Sequence, residues 1–122
     1  MLQLRSLDPA VPIQHQLGET LSPGVLINVF TVDAQDVDAL LDAWTHDANW
    51  MKRQPGYIST QLHRGIGGSC VFLNYALWES VAHFRQAFTH ADFMSALAAY
   101  PSSAVAAPHL FSKVAVPNLC TG

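Results

Sequence analysis

Residues 57–78 read Y-I-S-T-Q-L-H-R, then G-I-G-G-S, then C-V-F-L-N-Y-A-L-W. Two runs of β-branched, aromatic and alternating residues flank a loop whose glycines can take positive φ, which predicts an antiparallel hairpin of strands 57–64 and 70–78. Working outward toward the N-terminus, V-L-I-N-V-F-T-V at 25–32 is a further strand, bounded by Pro23-Gly24 and Asp33. Apolar side chains then recur at Val37, Leu40, Leu41, Trp44, Ala48 and Met51, the spacing of a helix with one buried stripe. Asp33 and Asp36 are placed to accept from the free N–H groups of its first turn, and Pro55-Gly56 stops it. Toward the C-terminus, Ser80 is placed to cap a short helix through Val81, Phe84 and Phe88. Thr89 with Asp92 resembles a capping box for a second helix through Phe93, Leu97 and Tyr100, so a broken helical segment is expected with its joint near His90. After a soft linker, P-S-S-A-V-A-A-P, the last strand is expected at 109–116.

The order is β-α-β-β-α-β, a ferredoxin-like α+β fold with a four-stranded antiparallel sheet and helices on one face. With 122 residues, one domain is expected at 25–117, preceded by an irregular proline-containing arm at 1–24 and followed by a tail at 118–122. Half the residues are apolar and 12% are charged, which excludes disorder and leaves apolar surface for a homodimer interface. Six basic against nine acidic residues, without a Lys/Arg run, argue against nucleic acid as a partner. No apolar stretch nears the roughly 18 residues that span a bilayer, and no leader pattern opens the chain, so a cytoplasmic protein with no membrane partner is expected. Cys70 and Cys120 read as structural. The six histidines are scattered without metal-ligand spacing, so no metal site is expected, and no dinucleotide fingerprint is present.

Alternation places Phe72, Asn74, Ala76 and Trp78 on one face of their strand, and Val71, Leu73, Tyr75 and Leu77 on the other. The second set is nearly all apolar, as a dimer interface would be. The first carries an asparagine in mid-strand, which needs partners for its amide. The same parity groups Asn28 with Leu26 and Phe30, and Tyr57 with Ser59, Gln61 and His63. Facing the helices together, these sets would enclose an aromatic chamber with sparse polar groups, suited to a flat hydrophobic molecule carrying a few oxygens.

The chain resembles the antibiotic biosynthesis monooxygenase family over 25–116, through P-G-Y at 55–57, N-Y-A-L-W-E-S at 74–80, and Phe84 and Phe93 downstream. That resemblance implies a dimeric α+β barrel. It is strongest to the cofactor-independent members that oxidise anthrone-type polyketides to quinones, in which an Asn and a Trp matching Asn74 and Trp78 serve the reaction. In that branch the residue six beyond the Trp is a pocket tyrosine, whereas this chain has Phe84. In the haem-degrading branch a stacking Trp and a ligating His would fall on Ala87 and Leu97, which can do neither.

The resemblance therefore implies a small aromatic substrate, O2 as co-substrate and no cofactor. Asn74 and Trp78 would donate to the developing oxyanion or peroxide, and His63, as an imidazole, is the candidate proton carrier. Asn28, Tyr57, Gln61, Phe72, Phe84 and Phe88 are the candidate substrate contacts, while Arg85 reads as a solvated charge. Two other readings stay open from sequence: a non-catalytic module binding a hydrophobic metabolite or haem, and a polyketide cyclase or isomerase.

Overall fold

Alternating apolar residues make β2 (Gly24–Thr31) a central strand, with antiparallel partners along both edges. In the computed structural model, which describes residues 1–122, it lies between β4 (Val71–Trp78) and β5 (Val105–Phe111). β3 (Tyr57–Arg64) pairs with the outer edge of β4. A two-residue strand, β1 (Gln3–Leu4), joins β5 in parallel, giving the order β1-β5-β2-β4-β3. The sheet thus has five strands; the expected four are its antiparallel core. The hairpin loop turns through Gly67 and Gly68, at φ 74° and 78°.

The helices cover one face. α2 (Val37–Met51) buries Val37, Leu40 and Ala43, and α3 (Val81–Phe88) buries Val81, Phe84, Ala87 and Phe88. α4 (Ala91–Ala96) follows after a break at Thr89 and His90, as the sequence predicts. Ser80 caps α3, its Oγ accepting from the His83 N–H at 3.1 Å. The capping box expected at Thr89 does not form: the Thr89 hydroxyl turns back to the Arg85 carbonyl, and His90 Nδ1 accepts from the Asp92 N–H at 3.0 Å. Nor do Asp33 and Asp36 cap α2 with their side chains, because a single 3-10 turn at Ala34–Asp36 leads into it. Asp36 instead accepts from the Ser103 hydroxyl at 2.7 Å, tying the start of α2 to the turn before β5.

The N-terminal segment is ordered against the fold rather than an irregular arm. Besides β1 it forms a one-turn helix, α1 (Ile13–Gln16), and it buries Leu2, Ile13 and Leu17. Its role follows from the exposed edge of β5. Even-numbered residues along this edge turn their backbone groups toward the N-terminal segment, with Gln3 N donating to the O of Ala104, just before β5, at 3.1 Å and Arg5 N, just after β1, to Ala106 O at 2.8 Å. Pro108 comes next on that edge and has no N–H to leave unpaired. Beyond it the Gln16 side-chain amide holds both backbone groups of Leu110, each at 2.9 Å, and so acts as one more strand residue. The last strand therefore starts at Val105, not His109, because Ala104 and Ala106 are small enough to be sealed completely beneath the helices. Residues beyond Phe111 leave the sheet, apart from a local bridge between Val116 and Cys120.

Two hydrophobic clusters fill the space between sheet and helices. One gathers around Phe30, Leu40, Phe72 and Leu97; the other around Leu26, Trp78, Phe84 and Phe88. Along β2 and β4 the clusters part at one level, where Asn28 and Asn74 stand directly opposite one another.

Candidate active site

The two asparagines mark a cavity of about 70 Å³ between the inner sheet face and the helices. β4 runs regularly, so Asn74, Ala76 and Trp78 all face inward as alternation requires, while Val71 and Tyr75 are exposed on the opposite face. β2 contributes Asn28 by the same parity. The wall behind them is aromatic. Trp78 meets Tyr57 edge-on at 5.6 Å between ring centres and Phe84 at 5.9 Å, and Phe84 leads on to Phe88 at 5.1 Å.

The P-G-Y turn delivers Tyr57 to this wall. Gly56 sits at φ 85°, and a Cβ there would overlap the His83 side chain, so only glycine permits the turn to pass so close to α3.

β3 departs from simple alternation. Tyr57 pairs with Trp78, but Ser59 pairs with Leu77, the very next residue of β4, so Ile58 is extra and forms a bulge. From there the parity inverts. Thr60 and Leu62 take the inner positions, opposite Ala76 and Asn74, while Gln61 and His63 stand opposite Tyr75 and Leu73 on the outer face. The expectation that Gln61 and His63 enter the chamber is thereby corrected: neither lines the cavity, and both are exposed. Phe72 is corrected as well. It faces inward but is sealed in the first cluster, with the Arg64 guanidinium over its ring at 5.2 Å, and does not reach the cavity.

Thr60, which the sequence did not single out, donates its hydroxyl to Asn74 Oδ1. With that oxygen occupied, the Asn74 amide N–H₂ is the group left to face the cavity. Asn28 presents the opposite polarity: its Oδ1 is buried without a hydrogen-bond partner, so no bond links the two asparagines. An orphaned buried acceptor of this kind costs roughly 1–3 kcal/mol unless water or a ligand answers it.

Two further lining residues escaped the sequence reading. Asp47 lies on α2 and Tyr100 follows α4; both are buried, and the Tyr100 hydroxyl donates to Asp47 Oδ2 at 2.7 Å. Burial pushes the Asp47 carboxyl above its ordinary value of 3.8, against the opposing influence of the Tyr100 hydrogen bond and the nearby His46. Tyr100 is pushed up too, by burial and by the adjacent carboxylate. A sequence signal for Asp47 did exist: it sits within the apolar stripe, three residues after Trp44 and four before Met51, where an acid on a buried helix face needs a reason.

Comparison with known proteins agrees with this geometry. Residues 23–99 match the antibiotic biosynthesis monooxygenase family. Among solved structures, a candidate monooxygenase from Shewanella loihica PV-4 is 33% identical, with a TM-score of 0.68 over 81% of this chain and 100% of its own. SnoaB, a cofactor-independent oxygenase from Streptomyces nogalater, superimposes with a TM-score of 0.70 at 21% identity, over 80% of this chain and 99% of its own. No curated protein matches the sequence.

Proposed function

The chain belongs to the antibiotic biosynthesis monooxygenase family, and from that premise we propose that it oxidises a flat aromatic substrate of the anthrone or naphthol type to a quinone with O2, without metal or flavin. The observation that carries this reading is the placement of unpaired polar groups in an aromatic cavity: the Asn74 amide N–H₂ and the buried, unpartnered Asn28 Oδ1, beside the Trp78 indole. The cofactor-independent character of SnoaB, which shares the fold, lends support.

Such substrates have acidic C–H or O–H groups, and the electron-rich anion passes an electron to O2 directly. A ring CH₂ and O2 become a ring C=O and H₂O, so the substrate is the reductant and the atoms balance. The protein's share is to exclude water, orient the rings and stabilise the charge. The cavity of about 70 Å³ must widen to admit fused rings; lying against Tyr57, Phe84 and Phe88, the substrate would then turn its oxygen toward the Asn74 amide and the Trp78 N–H, donors that strengthen as the oxyanion develops. Asn28 Oδ1 would accept from a substrate hydroxyl or from the peroxide O–H. Phe84, where the related branch has a tyrosine, contributes wall and no proton.

The deciding experiment is O2 uptake by chelator-treated protein with a panel of anthrones and naphthols. Uptake with matching quinone formation is the expected outcome. Tight binding without uptake would make the chain a binding module, and rearrangement of a poly-ketone without uptake would make it a cyclase or isomerase.

A further inference from the structure

Eighteen residues line the cavity, and only Asp47, Tyr57 and Tyr100 among them titrate. With His63 turned to the outer face, the cavity holds no imidazole, and Asp47 is the one carboxyl in its lining. The geometry points to Asp47 as the catalytic base of this cavity, with Tyr100 as its positioning residue; this assignment rests on the oxygenase reading above. The Tyr100 hydroxyl occupies Oδ2, while Oδ1 has no partner within the protein and is free to take a proton from a ligand. In the step itself, the substrate's acidic C–H or O–H bond breaks, its proton moves to Asp47 Oδ1, and its electron pair stays on the substrate as the anion that meets O2. Burial raises the carboxyl above the ordinary 3.8 and so brings its basicity closer to that of a weakly acidic substrate.

The charged and titratable groups around Asp47 are few. His46 is its neighbour on α2, Tyr57 lies in the wall contributed by β3, and the Met1 amino group donates to the Tyr100 carbonyl at 3.0 Å. Across from α2, the ring of His90, which caps α4, meets Trp50 edge-on at 5.1 Å.

The test mixes the full chain with a dihydroxyanthrone, first without O2 and then with it. Its anion is coloured, so proton transfer is read as absorbance without any turnover, and binding is read separately from tryptophan fluorescence. The parent should form the anion on binding. Asp47→Asn, which keeps an acceptor for the Tyr100 hydroxyl, should bind the probe without forming the anion and lose about 10²–10⁴-fold in kcat under O2. Tyr100→Phe should still form it but with the acid limb of the pH profile moved to higher pH, since the hydrogen bond that holds the carboxyl down is gone; this variant keeps the idea testable if Asp47→Asn does not fold. An Asp47→Asn protein that forms the anion and turns over like the parent overturns the assignment, as does a Tyr100→Phe profile that does not move. A parent that forms the anion yet consumes no O2 would leave Asp47 as the base and remove the oxygenase reading. A parent that consumes O2 alongside an equally active Asp47→Asn would do the reverse.

Discussion

Thr60 and Asn74, fourteen residues apart in sequence, are joined across β3 and β4 by a hydroxyl-to-amide hydrogen bond that leaves the asparagine N–H₂ directed at the cavity. In the proposed reaction Asn74→Ala removes a donor aimed at developing charge, and the expected loss is about 2.7–4 kcal/mol of transition-state stabilisation, or 10²–10³ in kcat. Thr60→Val releases the amide to rotate, so its loss should be smaller. The double variant should be no worse than Asn74→Ala alone, because the threonine acts only through the asparagine. Additive losses in a double-mutant cycle would show that Thr60 contacts substrate independently. Trp78→Phe keeps the wall and deletes the N–H; unchanged kinetics there would reduce Trp78 to packing.

His63 is exposed on the outer face of the sheet, opposite Leu73. His63→Ala should leave the shape of the pH–rate profile unaltered and shift stability by no more than about 0.5 kcal/mol. A flattened profile near neutrality would bring the histidine back into the reaction and would mean that β3 pairs in a different register.

Asp47 makes stability depend on pH in a definite direction. Its folded value lies above the ordinary 3.8, so the folded chain holds that proton more tightly than the unfolded one. The contribution is fully present below 3.8 and is lost as pH rises through the folded value, where an ionised carboxylate must be kept in an apolar wall. Asp47→Asn carries no such ionisation. Its Tm relative to the parent should therefore climb as pH rises above 3.8. Parallel Tm curves would mean that the carboxyl is not held above its usual range.

Outward from the cavity, Leu73 and Leu77 are half-buried, and Val71 and Tyr75 are 42% and 37% exposed on the sheet face that no helix covers. A second copy packed on this face would give the homodimer that the composition anticipates. Leu73→Asp would bury a charge in that contact and should yield monomer or aggregate by sedimentation. A dimer that survives unchanged would place the interface elsewhere. No helix of the chain is long and apolar enough to cross a membrane.

What the sequence by itself determined was everything set by short-range period. The alternation of 71–78 alone put Asn74 and Trp78 on one face, the stripe from Val37 to Met51 made a helix, and Ser80 started the next one. N-Y-A-L-W-E-S carried the family. The tertiary structure decided what depends on partners distant in the chain. The bulge at Ile58 is a matter of register against β4, and one extra residue was enough to exchange Gln61 and His63 for Thr60 on the inner face. Gln16 became part of the sheet edge only because Leu110, 94 residues away, had backbone groups with no strand beside them. Asp47 became a cavity acid only because Tyr100, 53 residues on, arrives to hold one of its oxygens and leaves the other free. Local pattern sets which way a side chain points along its own element. Which neighbour answers a buried polar group is settled when the elements meet, since the cost of leaving it unanswered arises only once water is gone.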